Sequence, residues 1–306
     1  MKKIWVVGSS NVDLIMKMPR LPALGETVTN AEFMQTFGGK GTNSAVGAAR
    51  AGGNVVFVNA VGDDPYAPAL LAGLEADGID TRHVLREKDI PSGHALVMIG
   101  EGGANYLSVA PGANHRLTPQ HIDALESELA GASRILIQNE IPAATNRRIL
   151  DLAARHAVPV QWNFAPCVQS PIEWLREAAL LIVNESEAEG LARQAGITAD
   201  GYAALADALL GLCPRGVLIT LGADGVQAAT PGWKAHLPAF AVEAIDTTGA
   251  GDIFCGSLAT ALVEGLGWPE AIRFASAASA ISVGRLGAQP SAPTRSEIDQ
   301  FLQHIP

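Results

Sequence analysis

Between residues 119 and 221 the chain alternates short apolar segments with longer segments of helical pattern, and this alternation constrains the fold more than any other feature. The apolar segments 135–137 and 180–183 are hydrophobic at every position. Strands of that kind are typical of a sheet that is buried on both faces. Because a helix separates each strand from the next, the strands are expected to run parallel. The sequence therefore predicts an α/β fold with a central, mostly parallel sheet and helices on both faces.

The same patterns extend over the rest of the chain. Strands are predicted at 4–7, 55–58, 135–137, 160–164, 180–183 and 216–221. Helices are predicted at 38–50, 65–76, 119–129, 143–156, 185–194, 202–212, 250–264, 269–283 and 294–302. There is no internal repeat and no linker, so residues 1–306 are expected to form a single α/β domain.

Two segments, 13–37 and 94–109, do not fit this alternation, because both are β-like and rich in turn residues. Within the second, Glu101-Gly102-Gly103 indicates a hairpin. We interpret the two segments as a small β-sheet that is set apart from the main sheet and forms a lid. The alternative is a pair of hairpins at the edge of the main sheet.

Composition excludes several classes of function. The chain has 21 Lys and Arg against 31 Asp and Glu, a net charge of −10, which argues against a nucleic-acid surface. Phosphate ligands remain compatible, because backbone N–H groups bind them without net positive charge. No apolar stretch approaches the roughly 20 residues of a membrane span. The three cysteines are far apart and form no C-x-x-C pair, which favours a reducing cytoplasm.

Residues 246–252 read Asp-Thr-Thr-Gly-Ala-Gly-Asp and lead directly into a predicted helix. Thr247 and Thr248 are candidate caps, and Gly249 and Gly251 allow backbone N–H groups to turn inward. With the positive end of the helix dipole, these groups predict an anion pocket suited to a phosphate. A carboxylate beside such a pocket needs its own explanation, and Asp252 is a candidate general base for a substrate hydroxyl. The alternative is a glycine-rich helix start with an acidic first turn.

The helix predicted at 38–50 opens with Gly38, Gly39 and Lys40, and Asn43 shares a face with Lys40. The glycines are expected to let a ligand approach the backbone. A P-loop is excluded, because that motif needs Ser or Thr directly after the lysine, where Gly41 stands. The segment after the first strand also lacks the Rossmann glycine pattern. Walker-type hydrolysis and NAD binding therefore lose their main support.

Several other polar residues follow predicted strands, where ligands bind in an open parallel sheet. Asn11 and Asp13 point the same way on an extended segment and are candidates for binding a polyol, with an Asx turn as the alternative. Glu140 is a candidate hydroxyl acceptor or simply a first-turn acid. Asn184 and Glu187 form a capping box or, alternatively, an oxygen pair near a hydrated magnesium ion.

Thr220, Gly222 and Gly225 also follow a predicted strand, and their segment suits either nucleotide phosphates or a hairpin turn.

Three motifs then occur in a fixed order: Gly-Gly-Lys-Gly-Thr-Asn at 38–43, Asn184-x-x-Glu187, and the segment 246–252. In this order, and over almost the whole chain, they resemble the ribokinase-like (PfkB) carbohydrate kinase family. Segments 22–27, 111–114 and 287–291 also resemble it. The resemblance implies an α/β sandwich with a β lid and a homodimer formed through the lids. It also implies transfer of the γ-phosphoryl group of ATP to the primary hydroxyl of a pentose, most closely D-ribose.

The resemblance further implies roles for individual residues. Asp252 would be the base, and Gly249, Ala250 and Gly251 would form the anion hole. The sugar would be held by Asn11, Asp13, Gly39, Lys40, Asn43, Glu140 and Asp252. The nucleotide would contact Asn184, Thr220, Gly222, Gly225, Gly251 and Ser276. Asn184 and Glu187 would support Mg²⁺ indirectly. A monovalent cation, K⁺, would lie at Asp246, Thr248, Ser282, Arg285, Gly287 and Ser291, mostly on backbone carbonyls.

The chain departs from the family pattern at three positions. Thr42 stands where Ala is usual, Asn139 where an apolar residue is usual, and Ser276 where Asn often lies near the adenine. The first two flank the implied sugar pocket, so deoxyribose or a ketohexose stays open as the substrate. Two rival functions are a nucleoside kinase, with Phe33, Phe37 or Tyr106 in the lid against a base, and a non-catalytic sugar sensor.

Overall fold

The structure, a computed structural model, describes residues 2–101 and 105–304. Its strands are β1 (Ile4–Val7), β2 (Asn11–Lys17), β3 (Glu32–Gly38), β4 (Val55–Gly62), β5 (Asp80–Glu87), β6 (Gly93–Ile99), β7 (Asn105–Ala110), β8 (Arg134–Ile137), β9 (Val160–Asn163), β10 (Leu180–Asn184), β11 (Val217–Thr220), β12 (Val226–Thr230) and β13 (Trp233–Leu237). Its α-helices are α1 (Lys40–Arg50), α2 (Ala67–Ala76), α3 (Pro119–Asp123), α4 (Glu126–Leu129), α5 (Ala143–Arg155), α6 (Glu185–Ala195), α7 (Gly201–Leu210), α8 (Ala250–Glu264), α9 (Trp268–Val283) and α10 (Arg295–His304).

In the described residues, nine strands form the central sheet, in the order β13-β12-β11-β10-β9-β8-β1-β4-β5. The strands from β11 to β5 in that order are parallel, β12 pairs antiparallel with β11, and β13 pairs antiparallel with β12. The prediction of a mostly parallel sheet is confirmed. Strand β1 lies between β4 and β8. The chain adds β4 and β5 on one side of β1, and β8 to β13 on the other. The carboxyl ends of β1 and β8 therefore flank a topological switch point, where such sheets bind ligands.

Helices cover both faces of this sheet, as the continuously apolar strands predict. Trp5 and Val7 of β1 point into a core that also contains Ile149 of α5 and Leu191 of α6. Ile4 and Val6, which alternate with them, point into the opposite core with α1, α2, α8, α9 and α10. The second core places α1 and α8 side by side under the switch point.

The segment at 119–129 is not the single helix that was expected. Two short helices, α3 and α4, replace it, because Leu125 leaves helical geometry with φ −101° and ψ 1°.

A separate four-stranded sheet has the order β3-β2-β6-β7 and contains the two segments that interrupted the alternation. Strand β2 pairs antiparallel with β3 and parallel with β6. The prediction of a small second sheet is confirmed, and the edge-hairpin alternative is wrong. Gly102 and Gly103 of the expected hairpin turn lie outside the described residues.

No helix within residues 2–101 and 105–304 is both long enough and apolar enough to cross a membrane.

Candidate active site

The start of α8 has the geometry that an anion pocket requires. Gly249 is the N-cap residue and has φ +75°, a conformation that favours glycine. A Cβ on Gly249 would lie 2.7 Å from the Cβ of Ala288, whereas one on Gly251 would meet no protein atom within 4 Å. The N–H of Ala250 donates to the carbonyl of Thr247 over 3.2 Å. The other N–H groups at the helix start belong to the turn that lacks intrahelical partners, and they are the candidate donors for an anion.

The threonines before this helix do not cap it, although the sequence suggested that they would. The hydroxyl of Thr248 instead donates to Asp246 Oδ1 over 2.6 Å, and α8 has no side-chain cap. The Thr248 hydroxyl is therefore bonded within the loop before α8, and it does not occupy the N–H groups at the start of that helix.

Asp252 lies in the first turn of α8 and is almost completely buried. Asn43 Nδ2 donates to its Oδ2 over 3.0 Å, and Asn163 Nδ2 donates to its Oδ1 over 3.2 Å. Burial raises the pKa of Asp252, while Lys40 and the two amides act against that rise. The result is a carboxylate held in one orientation, with a basicity above that of a surface aspartate.

Lys40 is the first residue of α1, and it lines the same cavity as Asp252. The carboxylate of Asp252 raises the pKa of Lys40 against the opposing effect of burial, and Glu140 and Glu187 add to the rise. A buried ammonium that stays charged beside the anion pocket can neutralise a phosphate.

The glycines at the start of α1 also allow close contact within the protein. A Cβ on Gly39 would lie 2.8 Å from Ser10 Cα, and one on Gly41 would lie 2.5 Å from Ser9 N. A Cβ on Gly38 would lie 2.1 Å from Asp13 Oδ2. These glycines therefore let α1 begin in contact with the loop after β1, which brings Lys40 and Asn43 beside Asn11 and Asp13.

Glu140, in the loop after β8, forms hydrogen bonds to the loop after β1 and to the start of α1. Its Oε2 accepts hydrogen bonds from the hydroxyl of Ser9 and, over 3.0 Å, from the backbone N–H of Lys40. Asp13 lies nearby on β2, where burial and the charge of Glu140 raise its pKa to about 7. Asp13 Oδ1 is buried and has no partner within the part of the chain that the structure describes. An unpaired buried acceptor of this kind fits a hydroxyl donor from a ligand.

Asn139 departs from the family pattern, but its side chain points away from Ser9 and Lys40, the residues that Glu140 binds. Its Oδ1 accepts from Trp162 Nε1 over 2.9 Å, and its Nδ2 donates to the carbonyl of Pro166 over 2.9 Å. Thr42 is likewise turned toward its own helix start, where it donates to the carbonyls of Gly38 and Gly39. Neither substitution brings a new polar group toward Asp13.

A cavity of about 200 Å³ joins the predicted catalytic residues to part of the predicted nucleotide residues. It is lined by Lys40, Asn163, Ala165, Ile182, Val183, Asn184, Glu187, Thr220, Thr247, Gly249, Gly251, Asp252 and Cys255. Gly222, Gly225 and Ser276 do not line it.

Asn184 and Glu187 form the capping box of α6. Asn184 Oδ1 accepts from the N–H of Glu187 over 2.8 Å and from the hydroxyl of Ser186 over 3.0 Å. Glu187 Oε2 accepts from the N–H of Asn184 over 2.9 Å. The Asn184 oxygen is thus occupied by two donors, so the second carboxylate oxygen of Glu187 is the better candidate for a hydrated metal ion.

The segment from Thr220 to Gly225 forms the antiparallel hairpin between β11 and β12. Gly225 has φ +99°, and a Cβ there would lie 2.1 Å from the carbonyl oxygen of Leu237. Gly222 has φ +53° and open space around it. The close approach to Leu237 explains Gly225, whereas no neighbouring atom in the described residues requires a glycine at position 222.

The positions implied for a monovalent cation lie on the loop before α8, in the last turn of α9 and on the loop after α9, and Asp246 joins the two loops. Asp246 accepts from Thr248 N and, through Oδ2, from Gly287 N, each over 2.9 Å. These bonds lower its pKa although burial acts to raise it. The second loop is held by Arg285, whose N–H donates to the carbonyl of Ser282 over 2.9 Å. Both oxygens of Asp246 are thus engaged within the protein.

Asn163, which donates directly to Asp252, was not among the predicted site residues. Asn163 is the last residue of β9, after an apolar strand, and its position at a carboxyl end was the available signal. Cys255 was also missed, and it lines the cavity one turn after Asp252.

Known proteins resemble this chain along its whole length. The sequence profile of the pfkB family of carbohydrate kinases matches residues 1–295. The chain belongs to this family. It is therefore a phosphotransferase that acts on an alcohol group.

Relatives of this pfkB-family kinase include the ribokinase of Bacillus subtilis (strain 168), which is 37% identical over 303 residues, or 99% of this chain and 100% of the relative. The crystal structure of ribokinase from Thermotoga maritima superposes with a TM-score of 0.92 at 37% identity, covering 99% of this chain and 100% of that one. The structure of Arabidopsis thaliana ribokinase complexed with ribose and ATP gives 0.90 at 30% identity, covering 99% and 98%.

Proposed function

We propose that this kinase transfers the γ-phosphoryl group of ATP to the primary hydroxyl of D-ribose. One observation carries the proposal: the buried carboxylate of Asp252, oriented by Asn43 and Asn163, lies at the N-terminus of α8 in a cavity shared with Lys40 and Glu187. A base, an anion pocket and a fixed positive charge in one cavity are the groups that phosphoryl transfer needs. The ribokinase relatives support ribose as the acceptor and ATP as the donor.

Asp252 would take the proton from the attacking hydroxyl. Its raised pKa brings its basicity closer to the operating pH, which favours general base catalysis. The two amide donors fix its oxygens, so a sugar held by Asn11, Asp13 and Glu140 would present its hydroxyl to a carboxylate of defined orientation.

The N–H groups at Gly249 and Gly251 would stabilise the oxygens of the phosphoryl group in transit. The N–H of Ala250 would join them by leaving the carbonyl of Thr247, to which it donates over 3.2 Å. Preorganised backbone donors are effective there because they need no reorganisation during the reaction. Lys40 adds a full positive charge on the same side of the cavity. The small sheet would close over the sugar and exclude water, whose attack would hydrolyse ATP.

The donor set on α6 suits a hydrated magnesium ion. The Oε1 of Glu187 is the free oxygen of a half-buried carboxylate, and burial raises the pKa of Glu187. Such an oxygen is suited to accept hydrogen bonds from the water shell that Mg²⁺ retains. A magnesium ion held there would supply positive charge to the phosphates of ATP. Thr220, which lines the cavity, would contact the nucleotide, together with Gly222 and Ser276 outside its lining.

The loops joined by Asp246 suit a monovalent cation such as K⁺. Asp246 would act indirectly, because its oxygens hold Thr248 and Gly287. The ion would then rest on backbone carbonyls of the two loops and of the last turn of α9, among Thr248, Ser282, Arg285, Gly287 and Ser291.

We also propose a homodimer formed through the small sheet. Ile15, Met34, Val97 and Leu107 form one cross-strand row on the same face as Asp13. Met34 and Leu107 are exposed, and exposed apolar patches on a sheet mark interaction surfaces.

A phosphorylation screen tests the function. ADP release is measured with D-ribose, 2-deoxyribose, D-fructose and adenosine as acceptors, each with and without Mg²⁺ and K⁺. We expect the highest kcat/KM with ribose. ADP release should be absent without Mg²⁺ and should be faster with K⁺. Adenosine as the best acceptor would indicate a nucleoside kinase. Tight ribose binding by calorimetry without ADP release would indicate a sugar sensor.

A further inference from the structure

A buried network of side-chain amides lies next to the proposed sugar site, and none of the proposed catalytic steps uses it. Asn59 of β4 and Asn114, in the 3₁₀ turn after β7, are 0% and 1% exposed. Asn114 Oδ1 accepts from the N–H of Ser10 over 2.9 Å and from Asn59 Nδ2 over 3.0 Å. Asn114 Nδ2 donates to the carbonyl of Ser10 and to Asn11 Oδ1, each over 3.0 Å.

Backbone groups determine which way these amides point. The N–H of Ser10 is only a donor and its carbonyl is only an acceptor, so the oxygen and nitrogen of Asn114 have one possible arrangement. Asn59 is fixed in the same way, because its Nδ2 donates to the carbonyl of Gly8, and its Oδ1 accepts from the hydroxyl of Ser10 over 2.7 Å. Asn114 therefore presents a donor, and only a donor, to Asn11.

This arrangement sets the chemistry that Asn11 offers to the sugar. Its Oδ1 is held by Asn114, which directs its Nδ2 away from the network. Within the described residues, that Nδ2 has no hydrogen-bond partner, although Asn11 is only 3% exposed. Asn11 lies two residues before Asp13 on β2, so both point to one face of the strand. Asn11 is thus a donor beside the acceptor Asp13.

A glycine is required where the network meets the small sheet. A Cβ on Gly93, the first residue of β6, would lie 2.2 Å from Asn114 Nδ2 and 2.3 Å from Asn11 Oδ1. Any other residue there would break the bond between these two amides or displace β6. Gly93, Asn11 and Asn114 belong to three segments that enter or leave the small sheet, so the network fixes Asn11 at the base of the lid.

We propose that Asn114 and Asn59 are positioning residues that lock the amide of Asn11 with its Nδ2 toward the sugar. They would act without touching substrate, because Asn11 is then fixed as a donor to a sugar oxygen at that position, beside Asp13 as the acceptor. This proposal rests on the proposed function, in which Asn11 binds the sugar.

The test is N114D, measured at pH 9. One oxygen of the introduced carboxylate still accepts from Ser10 and Asn59. The other oxygen replaces the Asn114 Nδ2 and lies against Asn11 Oδ1. The amide of Asn11 is expected to rotate and to present its oxygen to the sugar. We expect the KM for ribose to rise about 10- to 100-fold, the usual cost of an unpaired or opposed hydrogen bond, with the KM for ATP unchanged and kcat within a few-fold.

A double-mutant cycle separates positioning from general damage. In the Asn11→Ala background, N114D is expected to raise the ribose KM no further, because no amide remains to be oriented. N146D is the matched control, since Asn146 is also a buried asparagine but donates to the carbonyl of Gln138 instead. It should leave the ribose KM unchanged.

An unchanged ribose KM for N114D, or an equal rise with and without Asn11, would overturn the positioning role. If thermal melting shows that N114D does not fold, Gly93→Ala applies the same perturbation through the Asn11–Asn114 bond, with the same expected KM effect and the same criteria. The failure of the underlying function looks different: wild-type protein would not phosphorylate ribose, or Asn11→Ala alone would leave the ribose KM unchanged.

Discussion

Asp252 combines features that are costly in a folded protein. It is buried at a helix start, and its charge is offset by Lys40 and by two amide donors. A buried carboxylate loses solvation that hydrogen bonds and one ammonium replace only in part. The arrangement is therefore better explained by a reaction that needs a base there than by stability.

Asp252→Asn preserves the size of the side chain and removes its basicity. We expect kcat to fall about 10²- to 10⁴-fold, the usual scale for a general base, while the KM for ribose changes little. Steady-state ADP release measures the effect, and nucleotide binding by calorimetry serves as the control for an intact site. Near-normal sugar-dependent ATP consumption would refute the assignment.

Asp13 makes the proposed sugar site sensitive to pH. Burial and Glu140 raise its pKa from 3.8 to about 7 in the folded protein. A raised carboxyl pKa means that its contribution to stability is present below about pH 4 and is lost as pH rises toward 7. Ionised Asp13 is the stronger acceptor for a sugar hydroxyl, so ribose binding should strengthen over the range in which stability declines.

We therefore expect the KM for ribose to fall about tenfold between pH 6 and pH 8, following the ionised fraction of a group with that pKa. Asp13→Asn should abolish this dependence and should gain stability relative to wild type as pH rises from 4 to 8. Ribose titrations and urea denaturation across this range measure the two effects. A wild-type ribose KM that does not vary with pH would contradict the prediction.

At the level of elements, the contact between α1 and α8 holds the site together. A Cβ on Gly256 would lie 2.1 Å from the carbonyl oxygen of Ser44, and one on Gly47 would lie 2.9 Å from Ile253 Cα. This close approach allows Asn43 of α1 to reach Asp252 of α8 over 3.0 Å. Small residues at the helix crossing thus determine a hydrogen bond at the catalytic centre.

Gly256→Ala should separate these helices. We expect a loss of about 1–3 kcal/mol of unfolding free energy, typical of overpacking, together with a lower kcat as Asn43 moves from Asp252. Gly73→Ala is the matched control, because Gly73 lies in α2 with no atom near its Cβ position. That change should stabilise the protein by about 0.5–1 kcal/mol and leave kcat unaltered. Equal behaviour of the two variants would refute the role of the crossing.

Most main-sheet strands that the sequence predicted are buried on both faces, although β12 is equally buried and was missed. Strands β1, β8 and β10 were found because each is apolar along its length. Strand β5 was missed because it lies at the edge of the sheet and carries charged residues such as Arg82 and Glu87. Strand β13, at the other edge, alternates half-buried and exposed positions over five residues and gave too weak a pattern.

The site was predictable where a motif is continuous in the sequence. Segment 246–252 predicted the anion pocket and Asp252 from local chemistry, although its threonines do not cap the helix. Asn163 and Asn114 could not be found in this way, because each acts through a contact with a residue about 90 or more positions away. A single polar residue at a strand end or in a turn does not reveal which distant group it will meet.

At the scale of the whole molecule, the small sheet connects the sugar site to the proposed dimer. Successive side chains of each strand point to opposite faces of the sheet. One face therefore carries Asp13 and, in the next cross-strand row, Ile15 and Leu107. The other face carries Met16 and Tyr106. A partner packed on the first face would order the rows next to Asp13. Dimer formation and sugar affinity are therefore expected to be coupled.

Leu107→Asp tests this coupling, because Leu107 is 64% exposed on the face shared with Asp13. A charge in an apolar interface costs its desolvation, so we expect the variant to be monomeric by sedimentation and to have a higher KM for ribose with an unchanged KM for ATP. Tyr106→Asp is the matched control: Tyr106 is the preceding residue, is 56% exposed, and lies on the opposite face. It should remain dimeric with a normal ribose KM. Monomeric wild-type protein would contradict the proposed dimer, and dissociation of the Tyr106 variant alone would place the interface on the other face of the sheet.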